Sequence, residues 1–309
     1  MNTSDSRLRL VHFSTVESNA IAPGLLVGEA VVDLREAGVA SSLDDLFARW
    51  PEASEQLATL QGQTSLPGIP LSSATLRAPL PLSSTVYCAG ANFRDHVEEM
   101  ARLRGAAPEP PDSAPWHFIK PRRAALVGPG PVSRPKGCQQ LDWEAELVAV
   151  IGRECRGTSP ENALSFVAFY TIANDLSARD LFKRSSRPAT NPFHLDWIGH
   201  KGFDGSCPIG PWLTSAEGID PQQLQIRLWV DGALKQDSST ANMIFSTAEQ
   251  IAHLSQRTTL FPGDVVLTGT PAGVGSGRNE FLAPGQRVSI EIDGLGRLNN
   301  TITEHRSMP

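Results

Sequence analysis

Apolar residues in this chain come in short runs rather than in helical stripes. Leu8–Phe13, Leu25–Leu34 (LLVGEAVVDL), Thr85–Ala89, Leu147–Ile151, Phe166–Ala173, Gln225–Val230, Val265–Thr268, Val288–Ile292 and Leu298–Ile302 each have strand length and are bounded by turn-forming residues. Such runs predict β-strands, and Asp231-Gly232 and Asp293-Gly294 predict hairpins between two of them. Helical signals are fewer. Ser42, followed by Asp44 and Asp45, predicts a helix through Leu46 and Trp50, and Pro51 opens another. Asn92 is placed to cap a helix over Asp95–Arg104, Ser159-Pro160 starts a short one, and Phe245–Leu254 reads as helix. Leu66–Ser84 and Pro108–Pro115 are Pro-rich and predict an extended connector and a mobile loop. The expected class is mainly β with short helices (α+β), a sandwich or roll, with a small N-terminal domain over 1–80 and a main domain over 81–309.

Composition narrows this without redirecting it. Gly (26) and Pro (24) are plentiful and aromatics make up only 6%, which suits many turns and short strands. A net charge of −6 gives no electrostatic reason to expect nucleic acid or an anionic membrane as partner. No stretch has the length of a membrane span, and the start, MNTSDSRLRL, lacks the apolar core of a signal peptide, so a cytoplasmic protein is expected. Cys88, Cys138, Cys155 and Cys207 are widely spaced and read as free thiols rather than a disulfide frame or zinc site.

Candidate chemistry centres on Leu141–Gly152, LDWEAELVAVIG. Asp142, Glu144 and Glu146 alternate and run straight into an apolar strand. On a strand they would share a face, roughly 7 Å apart. Acids at a solvated strand end would explain their spacing, but not their entry into a core. Like charges there repel and resist desolvation unless a cation sits among them. Carboxylates without His or Cys suit Mg²⁺, Mn²⁺ or Ca²⁺ rather than zinc, and at least one more ligand is needed. Asp175, at the exit of the strand Phe166–Ala173, is placed to supply it. His96 and Glu99 are three apart, so on a helix they can touch. They form either an ordinary ion pair or a carboxylate-oriented general base. Gly269–Gly275 lacks the Lys-Ser/Thr ending of a nucleotide loop and reads as a loop whose N–H groups approach a small anion.

Five ordered segments resemble the fumarylacetoacetate hydrolase family. CAGANFRDHVEEM resembles its Gly-x-Asn-Tyr-x-x-His-x-x-Glu segment, and LDWEAELVAVIG its Glu-x-Glu strand. YTIANDLSARD is similar to its Asn-Asp-x-Ser-Ala-Arg-Asp turn, HKGFDGSCPIGPWL to its Lys-x-x-Asp…Pro-x-Gly-Pro stretch, and GDVVLTGTPAGVG to its closing loop. The resemblance spans about residues 85–300. It implies a mixed β-sandwich roll, usually a homodimer, with Mg²⁺ or Mn²⁺ (Ca²⁺ in crystals) held by Glu144, Glu146 and Asp175, and Asp142 nearby without being a ligand. It implies that His96 and Glu99 act from a lid helix, that Lys201 and Arg179 face the substrate, and that Thr270 holds a carboxylate. Two positions depart from the family. Phe93 replaces a tyrosine, and Phe182 stands where many relatives place a glutamine; both are expected to touch substrate. The implied activity is hydrolysis of a carbon–carbon bond in a 2,4-dioxo acid. Decarboxylation, hydration or tautomerisation of a related 2-oxo acid, or binding of a dicarboxylate without catalysis, are the alternatives. Phe182 and Trp197, on the loop Phe182–His200, are expected to form an outer wall favouring an apolar acyl tail.

Overall fold

The computed structural model describes residues 7–63, 67–108 and 113–305. Its spine is the strand Ala145–Ile151, buried along its whole length. Both faces are covered: Leu147, Ala149 and Ile151 belong to one core, and Val148 and Val150 to another. That double burial explains the unbroken apolar run. The strand pairs antiparallel with Val167–Asn174 on one side and Val265–Leu267 on the other. Val167–Asn174 pairs with Cys207–Ser215, which pairs in turn with Arg9–Ser14. The N-terminal strands therefore continue the main sheet, which has 12 strands among the described residues. Val265–Leu267 pairs in parallel with Val86–Ala89, and that strand pairs with His117–Lys120.

A second sheet, of five strands among the described residues, includes Gln225–Val230, Arg287–Ile292 and Gly296–Thr303. Its Ile226, Leu228, Val288 and Ile290 share a core with Leu147, Ala149, Tyr170 and Ile172, so the two sheets pack as a sandwich. The opposite face of the main sheet is covered by the helix Leu43–Ala48. Ser42 caps it by accepting from Asp45 N at 3.0 Å, and its Phe47 lies 5.9 Å from Phe169, ring to ring.

Two expectations change. Leu25–Leu34 is a hairpin rather than one strand: Ala22–Val27 and Ala30–Asp33 pair antiparallel around Gly28, whose φ of +58° favours glycine. Asn92 does not cap the helix that follows it. Arg94–Leu103 begins with Phe93 at the cap position and no side-chain bond there. The amide of Asn92 instead donates to Thr268 O (2.8 Å) and Phe245 O (3.0 Å) and accepts from Phe245 N (2.9 Å), tying the helix start to the main sheet. The Pro-rich stretch Pro108–Pro115 lies partly outside the described residues, at 109–112. Among the described residues no helix is long and apolar enough to cross a membrane.

Candidate active site

Register builds the site. Ala145 lies opposite Asn174, so the residue before one strand meets the residue after the other. The Asp175 N–H donates to Glu144 O at 2.9 Å, and the Glu144 N–H to Asn174 Oδ1 at 2.9 Å. Glu144, Glu146 and Asp175 are all buried, with carboxylate oxygens within 4.8 Å of one another. Asp142 stands apart, because the strand is interrupted at Trp143 and Glu144 and Leu141–Asp142 pairs separately with Ser177–Ala178.

Three cations hold these acids. Lys201 Nζ bridges Glu144 Oε2 (2.7 Å) and Asp175 Oδ2 (2.6 Å). Arg179 pairs with Glu144 Oε1 (2.6 Å) and Asp142 Oδ2 (2.9 Å). Lys120, which sequence reasoning passed over, is fully buried, lies 2.5 Å from Asp175 Oδ1 and donates to Ser206 O at 2.7 Å. No local signal marks it: it ends the short strand His117–Lys120, and its partner lies far along the chain. Burial pushes the Glu144 carboxyl up, but Lys201 and Arg179 outweigh it and hold the group well below the usual range.

Glu146 is the opposite case. Burial first, then Asp175 and Glu144, push it well above the usual range. One oxygen accepts from Gly269 N at 2.7 Å; the other, Oε1, is buried with no hydrogen-bond partner among the described residues. A buried carboxylate oxygen without a donor, beside two more carboxylates, fits a hard divalent cation. Glu144, Glu146 and Asp175 are the residues that would hold it.

The cluster opens into a cavity of about 750 Å³, lined by His96, Glu144, Arg179, Lys201, Thr270 and Phe182 among others. His96 projects from the helix Arg94–Leu103, with Nδ1 3.6 Å from Glu99 Oε2. Gly273 N donates to both oxygens of Glu99, at 3.1 and 3.0 Å. Burial raises the Glu99 pKa, but His96 and this backbone donor bring it below its ordinary value. Thr270 Oγ1 accepts from Gln236 Nε2 at 2.9 Å, and Gln236 Oε1 accepts from Ala145 N at 2.9 Å. Gln236 carried no sequence signal, since a glutamine on a hairpin strand reads as surface.

Four backbone N–H groups of the glycine-rich loop are already occupied. They take the protein's own carboxylates: Gly269 to Glu146, Ala272 to Asp95, Gly273 to Glu99 and Gly275 to Asp142. Phe93 also departs from expectation. It is wholly buried in the core that contains Tyr87, Trp143 and Met243, and does not line the cavity. Phe182 and Trp197 both line it, beside Trp116 and Phe118. Lys183, Arg184 and Arg187 do not, and Arg184 donates to Phe193 O at 3.3 Å.

Residues 85–303 match the Fumarylacetoacetate (FAA) hydrolase C-terminal family. The chain is 37% identical to the human (Homo sapiens) mitochondrial oxaloacetate tautomerase FAHD2B over 83% of this chain and 78% of that one. Among solved structures, the 2-hydroxyhepta-2,4-diene-1,7-dioate isomerase from Mycobacterium marinum is 32% identical with a TM-score of 0.70, covering 97% of this chain and 100% of that one. The maleylpyruvate hydrolase from Sphingobium sp. SYK-6, solved with manganese (II) ion and pyruvate, is 27% identical with a TM-score of 0.72, covering 96% and 100%. The ordered motifs, the sandwich fold and the match over most of the chain agree, and the chain belongs to the fumarylacetoacetate hydrolase family.

Proposed function

We propose that this chain is a metal-dependent hydrolase that cleaves a carbon–carbon bond in a 2,4-dioxo acid of acylpyruvate type. The observation that carries this reading is a carboxylate-backed imidazole, His96 with Glu99, facing the same cavity as a buried triacid cluster. A divalent cation held by Glu144, Glu146 and Asp175 would supply Lewis-acid polarisation of the substrate's 2-oxo group. His96 takes a proton from water, with the Glu99 carboxylate 3.6 Å behind its Nδ1. Water adds to the 4-carbonyl carbon, and the Lys201 ammonium donates to the oxyanion that forms. The bond between carbons 3 and 4 breaks, and His96 returns its proton to the carbon released. One water is thereby divided between a carboxylic acid and a 2-oxo acid. The Thr270 hydroxyl accepts from Gln236 and keeps its own proton to donate to the substrate carboxylate, to which Arg179 adds charge.

Enol–keto interconversion of a 2-oxo acid is a second reading, favoured by Phe182. A ring at that wall offers no amide to position water, and the relatives described above include a tautomerase and an isomerase. His96 would then shuttle a proton between carbon and oxygen with no water consumed. Assays of acylpyruvate cleavage and of oxaloacetate enol–keto interconversion, with Mg²⁺ and with Mn²⁺, separate the two. Cleavage with stoichiometric metal bound supports the hydrolase. Interconversion without cleavage replaces it with the second reading, and neither activity removes both.

A further inference from the structure

One wall of the cavity is built of rings and reaches from Phe118, whose ring centroid lies 5.5 Å from Lys201 Nζ, outward. Trp197 lies 5.0 Å from Phe182, 5.5 Å from Phe118 and 5.3 Å from Trp116, centroid to centroid. His200 completes the group. Its imidazole lies 4.4 Å from the Phe182 ring, tilted by 34°, is only 4% exposed, and still borders the cavity. The proposed proton transfers do not use it. Its Nδ1 lies 3.1 Å from Ala178 O. A carbonyl only accepts, so Nδ1 carries the proton, and in a neutral ring Nε2 is then a bare acceptor. The ring is kept neutral: burial first, then the charges of Lys201 and Arg179, push its pKa down to about 4. No described residue donates to Nε2.

We infer that His200 determines specificity by accepting, through Nε2, a hydrogen bond from a hydroxyl on the far end of the substrate, and that this end is a flat, unsaturated or aromatic group seated among Trp116, Phe118, Phe182 and Trp197. The inference rests on the acylpyruvate reading above. Flat faces suit stacking against four rings. An acceptor-only nitrogen beside apolar rings rewards an O–H and repels a carboxylate. A tail lacking the hydroxyl leaves that nitrogen desolvated and unpaired, which is how a polar group in a pocket rejects a near isostere.

The test compares benzoylpyruvate with its 2-, 3- and 4-hydroxyphenyl counterparts on Mn²⁺-loaded protein. At least one hydroxylated compound is expected to exceed the parent in kcat/KM by about tenfold, equivalent to ~1.4 kcal/mol. His200→Phe should bring that ratio to about one, and His200→Gln, which keeps an acceptor oxygen, should restore part of it. Quenching of tryptophan fluorescence by the same compounds reads recognition apart from turnover. Equal kcat/KM for all four compounds, or a ratio that survives in His200→Phe, overturns the inference and leaves the hydrolase reading standing. A quenching preference for the hydroxyl that disappears in His200→Phe, with no compound cleaved, supports the inference and overturns the hydrolase reading.

Discussion

His96 and Lys120 show how differently two buried-site residues act. His96 touches Glu99 and the cavity but none of the three clustered carboxylates. His96→Ala should therefore lower kcat by on the order of 10²-fold or more while Mn²⁺ affinity, read by calorimetric titration, stays within about twofold. A matching loss of metal affinity would make it a ligand instead. Lys120 is structural in a stricter sense: its ammonium faces the Asp175 carboxylate where no water reaches. Lys120→Met leaves a buried charge with half its compensation, and urea unfolding should show a loss of about 3–5 kcal/mol. The double variant Lys120→Met/Asp175→Asn should be less destabilised than the sum of the two single changes, because the second removes the charge that the first stranded. Glu144 and Glu146 were legible in the sequence, since acids running into an apolar strand demand an explanation. Lys120 was not, because its partner lies far along the chain and nothing local announces the pairing.

At the scale of elements, the glycine-rich loop acts as a buckle. It ties two strands and a helix together through the carboxylates of Glu146, Asp142 and Glu99. Gly273 has φ +99°, and a Cβ there would stand 2.1 Å from Lys235 O. Gly285 has a similar φ of +91° but open space around it. Gly273→Ala should therefore cost about 1–3 kcal/mol more than Gly285→Ala in urea unfolding, and it alone should lower kcat, because Glu99 loses its backbone donor. Equal costs would place the whole effect in backbone conformation. The buckle also marks where sequence reading stops. The strand Ala145–Ile151 is legible because burial on both faces leaves an apolar run, and the helix Leu43–Ala48 because Ser42 caps it locally. The partners of the loop are set by sheet register, as is the work of Asn92, which suits a cap by type but is drawn off by Thr268 and Phe245.

The whole molecule carries a histidine-dependent acid sensitivity. His117 is pushed down to about 4 by burial, then by His253 beside it, with Arg257 adding repulsion. An unfolded histidine titrates near 6.5. Between pH 6.5 and about 4 the unfolded chain binds a proton that the folded chain refuses, so stability is complete above that window and falls as pH drops through it. Asp45, held at about 2 by Arg49 and the Ser41 backbone, gives up its contribution only below about pH 3.8, outside the window. The melting temperature should fall between pH 7.5 and pH 5, and fall less in His117→Phe; equal falls would discharge His117 from the effect. Strand order has a consequence of another kind, in how the chain is made. Val265–Leu267 fits between Ala145–Ile151 and Val86–Ala89, so an interior strand of the sheet is synthesised after both its neighbours. At roughly 5–20 residues per second, the ribosome leaves those neighbours with open edges for on the order of ten seconds. Unpaired edges invite pairing with other chains, so that interval is when aggregation competes with folding. Stalled chains that stop short of residue 265 should be digested by protease at concentrations that the released chain survives, and equal resistance would mean that the sheet forms without the strand Val265–Leu267.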